Sequence, residues 1–383
     1  MSSIAVVICA YCDERRLQLG DAINSVLKQA RKPDRLVVVI DHNDDLLRDM
    51  RTSYPDVKVI ANDGARGLSG ARNTGVRAAA PCDIVAFLDD DAVAEADWLQ
   101  RLALHYVDPN IIGVGGKVLP LWPDQRPRWF PEEFQWVVGC SYRGQPEKVE
   151  PVRNPIGCNM SFRRSILDLT GGFREGIGRT AADAAGCEET ELCIRALQAI
   201  PGSLILYDPA MSVHHQVTAE RAGWRYFRKR CLAEGRSKTQ VVNAVGALDG
   251  LSSEQRYVMR VLPAGVLRGL TDLRQRLVDQ ERRRHEACRP CCLYPTKLAV
   301  KLLHIRLQSG EIRLGVGGGL DAMIAVEESR NVEIGTDVLD HHVRCVAPAA
   351  DRDVAVRQGE TVRRNLIRTA HHFNARPGRM VEP

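Results

Sequence analysis

Residues 84–91 read Ile-Val-Ala-Phe-Leu-Asp-Asp-Asp, an apolar run that ends in three adjacent carboxylates. The apolar part predicts a buried strand. Carboxylates crowded at its end repel one another and are costly to remove from water, which calls for a compensating cation. Mg²⁺ and Mn²⁺ prefer oxygen ligands, and Asp89 and Asp91 face the same side of an extended strand end. An acidic turn in which Asp91 caps the next helix is the alternative, and the flanking sequence decides between the two.

The flanking residues alternate between short apolar runs and helical periodicity. This alternation predicts an α/β fold with a mostly parallel sheet that helices cover on both faces. The predicted strands are 4–9, 35–41, 57–61, 83–88 and 111–118, and the predicted helices are 17–30, 71–80 and 95–107. Ligands of such sheets bind beyond the carboxyl ends of the strands. Three of those ends are polar, which predicts a nucleotide site at 11–13, 41–44 and 89–91.

The composition limits the class of protein. The chain has 383 residues, of which 44% are hydrophobic and 26% charged, as expected for a globular protein of two or three domains. A net charge of +5 is small for this length and does not indicate nucleic-acid binding. The N-terminus lacks the pattern of a signal peptide, and no apolar run is long enough to span a bilayer. We therefore expect a cytoplasmic protein.

The twelve cysteines form no regular disulfide framework. Cys9 and Cys12 have CxxC spacing, but they follow a predicted strand, whereas redox pairs open a helix. The cluster within His285–Cys292 lacks the second pair of ligands that a finger-type zinc site needs. The cysteines are therefore interpreted as reduced thiols.

The second half of the sequence adds a second acidic group. Residues 119–136 interleave prolines with aromatic residues, which predicts a rigid loop whose exposed rings form either a surface cluster or a substrate platform. Residues 187–197 predict a helix that begins with Glu188 and Glu189, and residues 203–207 predict a strand that leads to His214. A metal-bound diphosphate, a carboxylate base and an imidazole ligand are what transfer from an activated nucleotide donor requires.

The C-terminal part is more basic. Val266, Leu270, Leu273 and Leu277 form a helical apolar stripe, and residues 249–310 hold twelve Lys or Arg against six Asp or Glu. Such a helix either lies on an anionic membrane, here the inner face of the cell membrane, or packs on the catalytic domain. Beyond about residue 288 the periodicity fades, and the sequence predicts no fold.

Four segments, in this order, resemble glycosyltransferase family 2, whose members have the GT-A fold. Residues 66–73 are similar to its glycine-rich G-x-x-x-ARN segment, and residues 87–91 look like its DxD motif. Residues 186–195 look like its ED acceptor motif followed by L-x-x-R, and His214 resembles its late metal-side histidine. The resemblance covers about residues 4–238. It implies a nucleotide-sugar-binding half at 1–120, an acceptor half at 121–238, and a helical or irregular extension at 239–383.

The resemblance also implies an inverting, metal-dependent enzyme. It would move one sugar from a nucleotide-diphospho sugar, expected to be a UDP-sugar, to a hydroxyl of a glycan or polyprenyl-linked acceptor. Glu189 is the implied base, and Mg²⁺ or Mn²⁺ is the implied cofactor, held by Asp89, Asp91 and His214. The other implied roles are donor contacts by Asp13, Asp41, Arg72 and Asp90, and acceptor contacts by Glu188, Trp136 and Asn159. The Q-x-x-R-W motif of processive synthases is absent, which favours transfer of a single sugar.

Residues 136–142 and 153–164 look like a subgroup called glucosyl-dolichyl-phosphate glucuronosyltransferases, which implies a lipid-linked acceptor. The chain also departs from the family. Ala-Tyr-Cys-Asp13 replaces the usual Thr-Tyr-Asn-Arg, Asp41 lacks a second acid, and Glu189 stands where Asp is common.

Two other functions fit parts of the pattern. A nucleotidyltransferase of similar architecture would have a glycine-rich loop after the first strand, and residues 9–16 contain no glycine. An inactive nucleotide-sugar-binding module is the non-enzymatic alternative. The presence of Asp89, Asp91 and Glu189 argues against it.

Overall fold

The strand that leads into the three aspartates lies near the middle of a mixed sheet. The computed structural model describes residues 2–177, 186–250, 252–287, 303–308, 311–316 and 320–324. In this part of the chain the larger sheet has nine strands, in the order β3-β2-β1-β4-β8-β6-β9-β5, with β7 paired to β9. The strands are β1 Ile4–Ala10, β2 Arg35–Ile40, β3 Lys58–Ala61, β4 Ile84–Asp89, β5 Ala92–Ala94, β6 Ile111–Leu121, β7 Glu150–Pro151, β8 Asn159–Arg163 and β9 Leu204–Gln216.

Helices connect these strands and continue beyond them. They are α1 Arg16–Leu27, α2 Asp44–Ser53, α3 Leu68–Ala78, α4 Trp98–His105, α5 Arg164–Thr170, α6 Glu188–Ala199, α7 Trp224–Val245, α8 Ala247–Gly250, α9 Ser252–Arg256 and α10 Leu262–Ala287. Short 3₁₀ helices span Asp13–Arg15 and Glu132–Val138, and a π-helical turn spans Tyr257–Val261. No helix in the described ranges is both long and apolar enough to cross a membrane.

Alternation along the strands builds a core on each face of the sheet. Ile4, Val6 and Ile8 point to one face and pack in the core that contains Ile23 of α1. Val7 points to the other face, in the core that α3 and α6 cover. Because both faces are buried, the strands are apolar at nearly every position, which is why they were recognisable in the sequence. The predicted α/β class with helices on both faces is confirmed.

Parallel pairing brings three polar strand ends to one edge. β1 pairs in parallel with β2 and β4, and Cys9 lies opposite Asp89. Antiparallel β8, which the sequence did not predict as a strand, is inserted between β4 and β6, where Leu88 lies opposite Asn159. The predicted strand at 203–207 is longer than expected, and as β9 it carries His214 and His215 back to this edge.

The aromatic segment 119–136 differs from the expected loop. It contains the end of β6 and most of the 3₁₀ helix Glu132–Val138, and Phe130 is buried, packed edge-on against Trp122 and Phe227. The expectation of exposed rings holds for Trp129, which is 42% exposed. The rings therefore form a packed cluster with one exposed member.

The chain divides into two compact units, residues 1–269 and 270–383. The predicted helix with the Val266–Leu277 stripe is present as α10. In the second unit β10 Leu303–Gln308, β11 Glu311–Val316 and β12 Leu320–Ile324 form an antiparallel sheet that was not predicted. The functional boundaries at 120 and 238 stay predictions. The side chains of the His285–Cys292 cluster lie outside the described residues.

Candidate active site

Two carboxylates and one imidazole meet at the carboxyl end of β4. Asp89 is the last residue of β4, and Asp91 precedes β5, whose Ala92 lies opposite His215 of β9. Ligand atoms of Asp89, Asp91 and His215 all lie within 4.8 Å of one another. His215 Nε2 is 3.1 Å from Asp91 Oδ1. Oxygen and imidazole ligands so arranged are suited to a divalent cation such as Mn²⁺ or Mg²⁺. We call these three residues the strand cluster.

The histidine in this cluster is His215, which corrects the sequence-based choice of His214. Neighbouring residues of a strand point to opposite faces. His214 Nε2 therefore lies 2.7 Å from Glu95 Oε1, away from the two aspartates, and its side chain is 32% exposed. The sequence did contain a signal for this. Residues 211, 213 and 217 are Met, Val and Val at alternate positions, and His215 is on the same face.

Cations surround Asp91. Arg15 Nη1 lies 3.1 Å and Arg221 Nη1 3.5 Å from Asp91 Oδ2, and His215 contacts the other oxygen. Burial by itself would raise the pKa of Asp91, but His215, Arg15 and Arg221 outweigh it and hold that pKa well below its ordinary value. The carboxylate is therefore kept ionised, as a metal ligand must be. Neither Arg15 nor Arg221 was predicted from the sequence, because each reaches Asp91 from a distant segment of the chain.

Asp90 has a different environment from its neighbours. Its Oδ1 accepts a hydrogen bond from Arg15 Nη1 at 2.8 Å, and its Oδ2 has no hydrogen-bond partner among the described residues. Burial, together with the charge of Asp91, raises the pKa of Asp90 to about 7 despite Arg15. Asp90 is thus held by the protein through Arg15, and its contact with a donor sugar stays a prediction.

Arg72 connects the strand cluster to the second acidic group. Its Nη1 donates to Glu188 Oε1 at 2.7 Å, and its Nη2 donates to Asp89 Oδ1 at 3.3 Å and to Gly157 O at 3.2 Å. The residue is only 2% exposed. Because protein acceptors engage both terminal nitrogens, Arg72 is placed to hold Glu188 and Asp89 together. A direct contact of Arg72 with donor phosphate is a prediction that the structure does not require.

Glu189 lies in the first turn of α6, beside Glu188; we call these two residues the helix cluster. Burial of the Glu189 carboxyl, reinforced by the charge of Glu188, raises its pKa to about 7, although part of the residue remains exposed. Its Oε1 accepts a hydrogen bond from Thr190 Oγ1 at 3.2 Å. The dipole of α6 favours the ionised form of Glu189, but burial and the charge of Glu188 outweigh it. A carboxyl with this pKa suits a general base at neutral pH.

The backbone before α6 is unusual. Cys187 has a φ of 74°, in the left-handed region that disfavours residues other than glycine. Its Sγ lies 3.4 Å from Glu234 Oε1 of α7, and the preceding Gly186 N donates to Ser237 Oγ at 3.1 Å. α7 therefore fixes the segment from which the helix cluster projects. Glu191 forms an i,i+4 pair with Arg195 at 2.7 Å.

The predicted donor contacts Asp13 and Asp41 lie near the ends of β1 and β2. Asp41 Oδ2 accepts a hydrogen bond from Gly67 N at 2.9 Å, and its Oδ1 accepts one from Asn62 Nδ2 at 2.6 Å. Asp13 is exposed, and its Oδ2 accepts a hydrogen bond from Asn43 Nδ2 at 2.9 Å. The two carboxylates thus line the same sheet edge as the strand cluster, and their contact with a nucleotide stays a prediction.

Of the three predicted acceptor contacts, Asn159 is excluded by its interior position, whereas Trp136 and Glu188 remain predictions. Asn159 is fully buried and all its polar groups are used inside the protein: Oδ1 accepts from Trp98 Nε1 at 2.8 Å, and Nδ2 donates to two backbone carbonyls. Asn159 therefore links β8 to its neighbours and does not face an acceptor. Trp136 is partly buried and donates to Tyr257 Oη at 3.1 Å. Glu188 is buried against Arg72. For Trp136 and Glu188, the acceptor contact stays a prediction.

Comparison with known proteins identifies the family and several relatives of this chain. Residues 5–170 match the family described as Glycosyl transferase family 2. The chain is 36% identical, over 61% of its length and 76% of the relative's, to a glucosyl-dolichyl phosphate glucuronosyltransferase of Haloferax volcanii. It is 25% identical to the succinoglycan biosynthesis protein ExoM of Rhizobium meliloti, over 71% of this chain and 94% of that protein. A pre-mycofactocin glycosyltransferase of Mycobacterium tuberculosis is 27% identical over 45% of this chain and 35% of its own length.

These similarities confirm the expected GT-A fold and the resemblance to the subgroup named above. They also agree with a nucleotide sugar as the donor, because all three relatives and the family are named for glycosyl transfer or polysaccharide synthesis. The chain belongs to glycosyltransferase family 2 and is a glycosyltransferase.

Proposed function

We propose that this protein transfers one sugar from a UDP-sugar to a hydroxyl of a polyprenyl-linked acceptor, with inversion and with Mg²⁺ or Mn²⁺ as cofactor. The observation that carries this proposal is the link from Asp91 and Asp89, through Arg72, to Glu188 and Glu189. Within one site this link joins residues suited to a bound diphosphate and a residue suited to activating a hydroxyl.

The strand cluster is the metal-binding part of the proposal. Asp89, Asp91 and His215 supply carboxylate and imidazole ligands whose atoms lie within 4.8 Å of one another. Mg²⁺ or Mn²⁺ bound by these ligands would offset the negative charge of the diphosphate leaving group. Arg15 and Arg221 keep Asp91 ionised, and they add positive charge at the place where the leaving group would gain negative charge.

The helix cluster is the acceptor-activating part. Glu189, with a pKa of about 7, is deprotonated in a large fraction of molecules at neutral pH and would take the proton of the acceptor hydroxyl. That hydroxyl oxygen would attack the anomeric carbon as the bond to the diphosphate breaks on the opposite face. One carboxylate base and no covalent intermediate give inversion of configuration. Arg72 fixes Glu188 and so keeps Glu189 next to a carboxylate that sustains its high pKa.

The proposed acceptor class rests on similarity. The Haloferax volcanii relative is named for transfer of glucuronic acid to a glucosyl-dolichyl phosphate. We extend from that name only the chemistry of a lipid-linked sugar acceptor. The UDP-linked donor is carried over from the expectation based on the sequence. An acceptor of this kind also places the enzyme at a membrane surface, which fits the predicted peripheral contact with the inner face of the cell membrane.

The direct test is transfer by the purified full chain. UDP-glucose, UDP-glucuronic acid and UDP-N-acetylglucosamine are each offered with a short-chain polyprenyl-phosphate-linked glucose and Mn²⁺ or Mg²⁺, and products are identified by mass spectrometry. We expect transfer from one donor, abolished by EDTA and restored by added metal, with the anomeric configuration inverted by NMR. A matched control is Asp124→Asn, a change at an exposed carboxylate. Transfer that survives EDTA, or retention of configuration, would contradict the proposal.

A further inference from the structure

Helix α7 has two chemically different faces. One face packs on the segment before α6: Ser237 Oγ accepts from Gly186 N, and Glu234 Oε1 lies 3.4 Å from Cys187 Sγ. The other face is exposed to solvent. Together with the adjacent Trp129 it presents what we call the aromatic–basic face, formed by Trp129, Trp224, Arg225, Arg228, Lys229 and Arg236.

The two tryptophans of this face are exposed but firmly held. Trp224 is 62% and Trp129 42% exposed, and their ring centroids lie 5.4 Å apart in an edge-on arrangement. Trp224 stacks on Phe227 with an interplanar angle of 10°, and Phe227 contacts the buried Phe130. The rings are thus presented by a rigid aromatic base, so little conformational entropy is lost when a partner covers them.

The positive charges of this face are unpaired within the part of the chain that the structure describes. Arg225, Arg228, Lys229 and Arg236 form no ion pair with a carboxylate of the described chain. On the inner face of the same helix, by contrast, Arg230 pairs with Glu234 at 2.8 Å and Lys238 pairs with the same carboxylate at 3.4 Å. Glu234 is the one acid of α7, so the outer face carries only positive charge.

We propose that the aromatic–basic face docks on an anionic membrane surface. Tryptophan rings favour the boundary between lipid headgroups and hydrocarbon, and lysine and arginine near anionic lipid each add about a five-fold gain in binding. A helix face that contacts only water is expected to carry charged side chains, but two exposed indole rings beside them indicate a binding surface. Indole rings and cations side by side on one exposed face therefore match a membrane surface, which is apolar beneath a negatively charged headgroup layer.

The position of this face suits an enzyme with a lipid-linked acceptor. Trp224 begins α7 only three residues after Arg221, whose Nη1 lies 3.5 Å from Asp91 Oδ2. The opposite face of α7 contacts the segment that leads to Glu189. Docking through α7 would therefore hold both acidic clusters close to the lipid headgroups. The purpose of docking rests on the proposed function, whereas docking itself rests only on the chemistry of this face.

The test measures binding of the full chain to phosphatidylcholine vesicles with and without phosphatidylglycerol, by co-sedimentation and by tryptophan fluorescence. We expect binding to the anionic vesicles, weakened by salt, with a blue shift of the emission. The triple variant R225E/R228E/K229E should bind roughly 100-fold more weakly. The variant W129A/W224A should lose the blue shift and bind several-fold more weakly. Thermal unfolding verifies that each variant is folded.

The matched control is R274E/R276E, which reverses two exposed charges of α10 and tests the alternative membrane contact expected from the sequence. Equal loss of binding in this control, unchanged binding of the α7 variants, or equal binding to neutral vesicles would overturn the proposal. Oligomers of the wild-type chain that the α7 variants do not form would assign the face to a second copy of the protein instead.

A second readout separates this inference from the proposed function. The α7 variants should keep wild-type transfer to a short-chain acceptor in solution, and lose transfer to a long-chain acceptor embedded in anionic vesicles. Vesicle binding without any transfer would leave docking supported and contradict the function. Transfer to both acceptors by the α7 variants at wild-type rates would contradict docking and leave the function supported.

Discussion

The strand cluster and the helix cluster each contain a carboxyl group in a largely buried setting, yet the pKa values of Asp91 and Glu189 are shifted in opposite directions. Three cations contact Asp91, so its pKa lies well below the ordinary value in spite of burial. Among the described residues Glu189 forms no ion pair, since Arg72 contacts Glu188 instead. Burial and the charge of Glu188 therefore raise the pKa of Glu189 to about 7. The number of nearby cations, more than burial, therefore separates a carboxylate suited to bind a metal from one suited to act as a base.

The largest effect is expected from removing the base. Glu189→Gln keeps the size of the side chain but abolishes proton acceptance, so transfer should fall by about 100-fold to 10,000-fold. UDP-sugar binding, measured by calorimetry in the presence of Mn²⁺, should be unchanged because the strand cluster is intact. Asp124→Asn is again the control. If donor binding falls in parallel with transfer, Glu189 has a structural role. The two clusters would then not have separate roles in donor binding and acceptor activation.

Removing the central carboxylate of the other cluster should affect different quantities. Asp91→Asn leaves the cations of Arg15, Arg221 and His215 without their shared partner, and we expect about a 1,000-fold loss of transfer together with loss of Mn²⁺ binding. The free energy of unfolding should also fall, by about 3–5 kcal/mol, because buried charges lose their partner. Mn²⁺ binding is read by electron paramagnetic resonance and stability by urea unfolding. Retained Mn²⁺ affinity would remove Asp91 from the proposed metal site.

The raised pKa of Glu189 predicts a pH dependence with a definite sign. Only the deprotonated carboxylate accepts a proton, so transfer should fall as the pH drops below about 7, by about tenfold per unit. In Glu188→Gln the neighbouring negative charge is absent, so the fall should shift to lower pH. Rates of transfer at saturating donor between pH 5 and 9 provide the measurement. A profile whose midpoint stays the same in Glu188→Gln would show that burial alone sets the pKa of Glu189.

The sequence predicts the parts of the two clusters that depend on local patterns, but not those that depend on contacts between distant residues. Apolar periodicity and acidic strand ends are patterns of neighbouring residues. They were therefore enough to predict β1, β2, β4 and the first turn of α6. The Arg72–Glu188 ion pair could not be predicted in this way, because it joins residues 116 positions apart in the sequence. β8 was missed for a similar reason: its place between β4 and β6 depends on antiparallel pairing that no local pattern encodes. The interior role of Asn159 follows from that insertion.

The smallest effect is expected at the histidine that the sequence favoured. His214 pairs with the half-exposed Glu95, and exposed ion pairs contribute about 0–1 kcal/mol, so His214→Ala should change stability by no more than that and transfer by less than about twofold. His215→Ala is the matched variant one residue away and should weaken Mn²⁺ binding by about 10-fold to 100-fold. Comparing the two by metal titration tests the face of β9 directly. If His214→Ala has the larger effect, β9 is shifted by one residue in the active enzyme, and the strand cluster would lack its imidazole.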